Sequence, residues 1–110
     1  MKSRVTEYVQ FSAFSGAPAE CQHHLIFGQG RHKLADVDGL IIGLLNKEHN
    51  VSSQGTINQI HENPAAEKLS KIAGQLAWER NYLIDKYGDF DELSHECREA
   101  FRRRYGESYL

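Results

Sequence analysis

Two adjacent histidines stand in the run Cys21-Gln22-His23-His24-Leu25-Ile26-Phe27-Gly28, among apolar residues at the head of a Gly-rich loop. If Leu25 and Ile26 continue a strand, the two-residue period of a strand sends His23 and His24 to opposite sides of it. One imidazole can then ligate a metal while its neighbour serves as a general base. Arg31, His32 and Lys33 lie just behind the pair, and His49 and His61 follow downstream.

A chain of 110 residues is one small domain, large enough for a modest core and near the size at which a metal adds useful stability. About a quarter of the residues are charged, as in a soluble globular protein, and the longest apolar run, residues 40–45, falls far short of the roughly 18 residues a membrane span requires. Lys2 and Arg4 are followed by no apolar segment, so no signal peptide is read and a cytosolic chain is expected. Cys21 and Cys97 are then reduced thiols. The formal net charge of −2 and a pI near 6.3 argue against a nucleic-acid binder that relies on a global positive field, so any such binding is local.

Residues 5–14 carry apolar side chains at 5, 8, 9, 11 and 14, neither alternating nor helical, and read as an irregular or short extended arm. Ser15-Gly16-Ala17-Pro18 is turn chemistry, and a strand is expected over 20–27. Gly28-Gln29-Gly30 opens a loop through 31–39, and residues 40–45 read as a second, buried strand, completing a hairpin. The segment 46–56, with Gly55 and two serines, suggests a brief helix or turn carrying His49 and then a flexible connection. Asn63 and Pro64 look like an N-cap and N1 proline, with Glu67 in the first turn. Leu69, Ile72, Ala73, Leu76, Ala77, Tyr82 and Leu83 then make a helical apolar stripe up to Lys86, and Gly88 stops it. Asp89 with Glu92 resembles a capping box that opens a last helix, with Phe90, Leu93, Cys97, Phe101 and Tyr105 on one side and Gly106 at its end.

His23-His24 on a first strand, a long loop to Asp38-Gly39-Leu40, and Leu44-Leu45-Asn46-Lys47-Glu48-His49 entering a helix resemble the HNH nucleases of the ββα-metal superfamily. More narrowly, Cys21 to Gly28, Arg31-His32-Lys33-Leu34-Ala35-Asp36, Ile60-His61-Glu62-Asn63-Pro64, Ala77-Trp78-Glu79 and the ending Tyr105-Gly106-Glu107-Ser108-Tyr109-Leu110 are similar to small HNH proteins of phages and prophages. The resemblance implies an α+β fold: an N-terminal arm (1–19), a ββα-metal finger with a long-loop hairpin (20–62) and a pair of amphipathic helices (63–106). It gives His24 the general-base position and His23, His49 and His61 the metal positions. Asp38 stands where many members have an Asn that braces the loop, and Arg31 and Lys33 are expected to contact phosphate. A divalent ion is implied, Mg²⁺ or Mn²⁺ for catalysis, although a site built of imidazoles holds Zn²⁺, Ni²⁺ or Co²⁺ more tightly. The substrate class implied is DNA, in the cytosol of a bacterial host.

The chain departs from the family where many relatives carry cysteine pairs for a structural zinc: Leu45 and Glu48 occupy the corresponding places, and no pair precedes Cys21. Glu48 itself is expected to be an exposed helix carboxylate. The departures support a second reading, a non-catalytic phage-encoded interaction or inhibitor protein that keeps the finger as a metal-stabilised scaffold. A DNA-binding module without catalysis would need a broader basic face. The stripes on the two C-terminal helices leave open packing on each other or on a second copy, with the tyrosine-rich tail closing such an interface.

Overall fold

The computed structural model describes residues 2–49 and 60–110; the Gly55 connection expected from sequence lies outside them. The fold is α+β. Strand β1 (Cys21–His24) leads to helix α1 (Arg31–Val37), strand β2 (Ile41–Leu44) and the short helix α2 (Asn46–His49). A 3-10 turn (Ile60–Glu62) then precedes the long helix α3 (Pro64–Tyr87) and α4 (His95–Tyr105). Among the described residues no helix is long and apolar enough to cross a membrane.

β1 and β2 are antiparallel, with Cys21 opposite Leu44, His23 opposite Ile42 and His24 opposite Ile41. Both strands are shorter than the sequence suggests. Backbone bonds beyond their ends, Glu20 N–H to Leu44 O and Leu25 N–H to Leu40 O, prolong the pairing without regular strand geometry. The four residues of β2 are all buried, and the arm covers its other edge: Ser12 bridges Gly43 in parallel, and Ser3 Oγ donates to Ile41 O. Gly43 permits this approach, because a Cβ there would collide with the Val9 carbonyl oxygen and lie 2.6 Å from that of Phe11.

The connection between the strands is not a loop throughout. Residues 31–37 are helical, launched from Gly30 at φ 80°. Arg31, Lys33, Leu34 and Ala35 are all good helix formers, but only Ala35 of the seven is buried, too little for a periodic signal. Asp38, just beyond α1, binds α4: its carboxylate accepts from Arg104 Nε and Nη2 and from the Tyr105 hydroxyl, each at 2.7 Å.

α3 begins and ends where local chemistry predicts, with the Asn63 side chain accepting from Ala65 and Ala66 N–H and Gly88 closing it in a left-handed conformation. Its buried face differs from the expected stripe. Leu69 is 66% and Leu76 39% exposed, while Ser70, Gly74, Gln75, Glu79 and Asn81 point inward. These polar groups are satisfied, which makes their burial tolerable. Glu79 accepts from Gln75 Nε2 at 2.8 Å and from Arg98 Nε at 2.7 Å; Gln75 also accepts from the Tyr109 N–H and donates to Ser108 Oγ. Gly74 lets α3 lie against Leu25 and Ile26, since a Cβ there would meet Ile26 Cγ1 at 2.7 Å.

α4 starts later than Asp89 and Glu92 suggest. Its cap is Ser94, which accepts from Cys97 N–H while Cys97 Sγ accepts from Ser94 N–H; Phe90 is exposed. Partners of rising number on α3 meet falling numbers beyond it, Gln75 with Ser108, Glu79 with Arg98 and Tyr82 with Glu96, so the two helices run antiparallel. Phe101 and Tyr105 stack at 4.6 Å, Trp78 meets Phe101 edge-on, and Tyr109 folds back onto Phe101. The tail thus closes this molecule's own core rather than offering Tyr109 to a second copy.

Candidate metal centre

Strand alternation separates the paired histidines as the sequence predicts. His23 is fully buried, and its ring centroid lies 4.9 Å from that of His49 and 5.1 Å from that of His61. His24 faces the α1 side, where its Nε2 bonds Asp36 Oδ1 at 2.8 Å and its ring lies 3.8 Å from that of His32.

Each ring of the cluster comes from a different element. His23 is delivered by β1 and His49 by the last residue of α2. His61 comes from the turn before α3. α2 is anchored by Glu48, which is buried rather than exposed: it accepts from Ser12 Oγ–H at 2.7 Å and from Leu45 N–H at 2.8 Å. Glu48 therefore fastens the helix carrying His49 to the arm. Phe27 walls the cluster, its ring 4.5 Å from His61 and 5.7 Å from His23.

Hydrogen bonding decides which atoms carry lone pairs. The Ser70 hydroxyl donates to Leu25 O at 2.8 Å, so its oxygen accepts from His23 Nε2–H, also at 2.8 Å. His23 Nδ1 then bears a lone pair, and it is buried with no hydrogen-bond partner. At the turn, His61 Nδ1–H points to Glu67 Oε2 at 3.4 Å, leaving its Nε2 lone pair 3.0 Å from His49 Nε2. Rings that donate one N–H to an oxygen and turn the other nitrogen inward are the usual arrangement of metal-ligating histidines.

One nitrogen from each of His23, His49 and His61 lies within 4.8 Å of the others. Two nitrogens each ~2.1 Å from one ion are at most about 4.2 Å apart, so binding an ion requires only a small contraction. The orphaned Nδ1 and the three-imidazole donor set fit a borderline divalent cation such as Zn²⁺, Ni²⁺ or Co²⁺ better than Mg²⁺.

Burial, then repulsion from the neighbouring imidazoles, lowers the His23 pKa to about 3, and the same causes lower that of His49. A neutral imidazole is the form that ligates metal. Between the ordinary histidine pKa near 6.5 and about 3 the unfolded chain binds the His23 proton and the folded chain does not, so stability rises with pH in that window. The metal-free protein is therefore expected to lose stability steadily as pH falls below about 6.5, read as a falling urea midpoint, with a flatter profile for His23→Gln.

No family model, curated protein or solved structure matches the chain. The other residues singled out in the sequence are dispersed. Asp38 is engaged at α4, and the carboxylate on His24 is that of Asp36. Arg31 is tied down, its Nε donating to Tyr105 O and its Nη2 paired with Glu107 at 2.7 Å. Lys33 is exposed on α1. Cys21 donates to Leu44 O and stands outside the cluster, and Cys97 is a buried thiol. Sequence reasoning missed Ser70, Asp36 and His32 as partners. The helical spacing of His32 and Asp36, one turn apart, was the signal available for the latter two.

Proposed function

We propose that the protein is a metal-dependent endonuclease of HNH type that hydrolyses phosphodiester bonds in DNA. The observation carrying this reading is the division of labour across β1, with His23, His49 and His61 gathered on one face and His24 held by Asp36 on the other. A carboxylate only accepts, so a neutral His24 donates Nε2–H to Asp36 and keeps its lone pair on Nδ1. That nitrogen is the base that takes the proton of the attacking water, and Asp36 fixes the ring and stabilises the imidazolium that forms. His23, His49 and His61 hold the cation, which when bound supplies charge stabilisation at the phosphate and the leaving 3′ oxygen. Ser70 and Glu67 orient two of these three rings. Of the two basic residues assigned to phosphate by resemblance, Arg31 is already paired within the chain, and Lys33 remains for that role.

The test uses metal-stripped wild type and His24→Ala with supercoiled plasmid and single-stranded DNA, adding Mg²⁺, Mn²⁺, Ni²⁺ or Zn²⁺ in turn. Metal-dependent nicking is expected for the wild type, with a loss of about 10²–10⁴-fold in His24→Ala and unchanged metal affinity. Bound metal with no cleavage of either substrate overturns this reading in favour of a metal-stabilised interaction protein.

A further inference from the structure

We infer that Lys68 and Lys71, on α3, form a binding site for the phosphate backbone of a nucleic acid passing beside the histidine cluster. Among the described residues, six of the chain's thirteen lysine and arginine side chains are paired with carboxylates. Arg4 pairs with Asp85, Arg31 with Glu107, Arg98 with Glu79, Arg102 with Glu99, Arg104 with Asp38 and Lys86 with Glu96. Among the described residues, the Lys68 and Lys71 ammonium groups instead contact only aromatic rings. Both ammonium groups lie over the Tyr109 ring, at 5.8 and 5.7 Å from its centroid, and Lys71 also lies 4.8 Å from the centroid of Phe27.

This placement has two consequences. A ring attracts a cation through its face but uses none of the ammonium's N–H donors, so each lysine keeps its three donors for an anion. Two like charges gathered over one ring also repel each other, and a phosphate shared between them relieves the repulsion. The lysines border a cleft of about 310 Å³ whose other walls are Pro64, Glu67, Glu107 and Tyr109. Glu107 is neutralised by Arg31, while Glu67 accepts a hydrogen bond from the neutral His61 ring and keeps its charge, so two lysine cations face one uncompensated carboxylate in the cleft.

The position of the cleft points to the ligand class. Glu67, a wall of the cleft, accepts from His61, and Phe27 lies against both the Lys71 ammonium and the His61 ring, so the cleft adjoins the cluster. A strand whose scissile phosphate sits at the cluster presents a neighbouring phosphate to Lys71 and Lys68. The choice of nucleic acid as ligand rests on the nuclease reading; the cation site itself rests on the lysines, the rings and the cleft.

Fluorescence anisotropy of a labelled single-stranded and a labelled duplex oligonucleotide, in EDTA and across 50–200 mM salt, tests the inference. Wild type is compared with Lys68→Gln/Lys71→Gln and with Lys86→Gln/Arg103→Gln, which removes the same charge elsewhere. The first double variant is expected to lower the salt slope by about one per lysine. Over this fourfold range of salt the wild-type affinity then falls about 16-fold more than that of the variant. An equal change in the control double variant, an unchanged slope, or no oligonucleotide binding by the wild type overturns the inference. Plasmid nicking by the same proteins separates the two claims: cleavage with an unchanged slope removes the lysine site and leaves the nuclease, whereas a lowered slope without cleavage keeps the lysine site and removes the nuclease.

Discussion

His23→Ala is expected to weaken binding of Ni²⁺ or Zn²⁺ by more than about 100-fold, beyond the 10–100-fold typical of residues that only orient a ligand. Ser70→Ala should fall within that lower range. It removes the acceptor that holds His23 Nε2–H, and with it the bond that keeps the lone pair on the buried Nδ1. His24→Ala should leave affinity unchanged, since its ring lies on the other face against Asp36 and His32. Isothermal titration of the three variants, with circular dichroism confirming that each is folded, reads this ranking. Equal affinity of His23→Ala and wild type would remove the metal centre.

Glu79→Ala is expected to be strongly destabilising, by about 2–4 kcal/mol, because removing one partner of a buried ion pair leaves the other groups unmatched. Glu79 is fully buried and gathers Arg98, Gln75 and the Cys97 thiol around one carboxylate. The lower part of the range allows for Arg98, whose side chain is 27% exposed. For a domain of this size the loss corresponds to a fall in melting temperature of more than about 10 °C. Arg98→Met should cost at least as much, since it strands a buried negative charge, whereas the double change Glu79→Leu/Arg98→Met should recover much of the loss. Thermal unfolding of wild type, Glu79→Leu, Arg98→Met and the double variant forms the cycle, and additive losses would contradict coupling through this network.

These two sites differ in how far they could be read from the chain. The opposed faces of His23 and His24 follow from strand geometry, which needs only a strand to be present. The limits of α3 follow from Asn63, Pro64 and Gly88, whose effects are local. The inward face of α3 was misread because hydrophobic periodicity assumes an apolar interior, and here Ser70, Gln75, Glu79 and Asn81 are satisfied by partners remote in sequence. Helix α1 escaped notice because it buries one residue. The convergence of His49 and His61 came from resemblance, since no spacing rule brings together residues on separate elements. The partners of His23 and His24, Ser70 and Asp36, are fixed only when α3 and α1 dock.

The pairing of β1 with β2 makes the assignment of the two histidines a matter of parity. His23 faces the cluster because it stands opposite Ile42, and His24 faces α1 because it stands opposite Ile41. Shifting β1 by one residue exchanges every side chain between the two faces, while a shift of two restores them. A single-residue deletion between Pro18 and Cys21 that was absorbed by such a slip would set His24 opposite Ile42, among the imidazoles, and Leu25 opposite Ile41, beside Asp36. The bonds from Glu20 and Leu25 at the two ends of β1, and the arm laid along β2, therefore hold a piece of chemical information: which of two identical side chains faces the cluster and which does not.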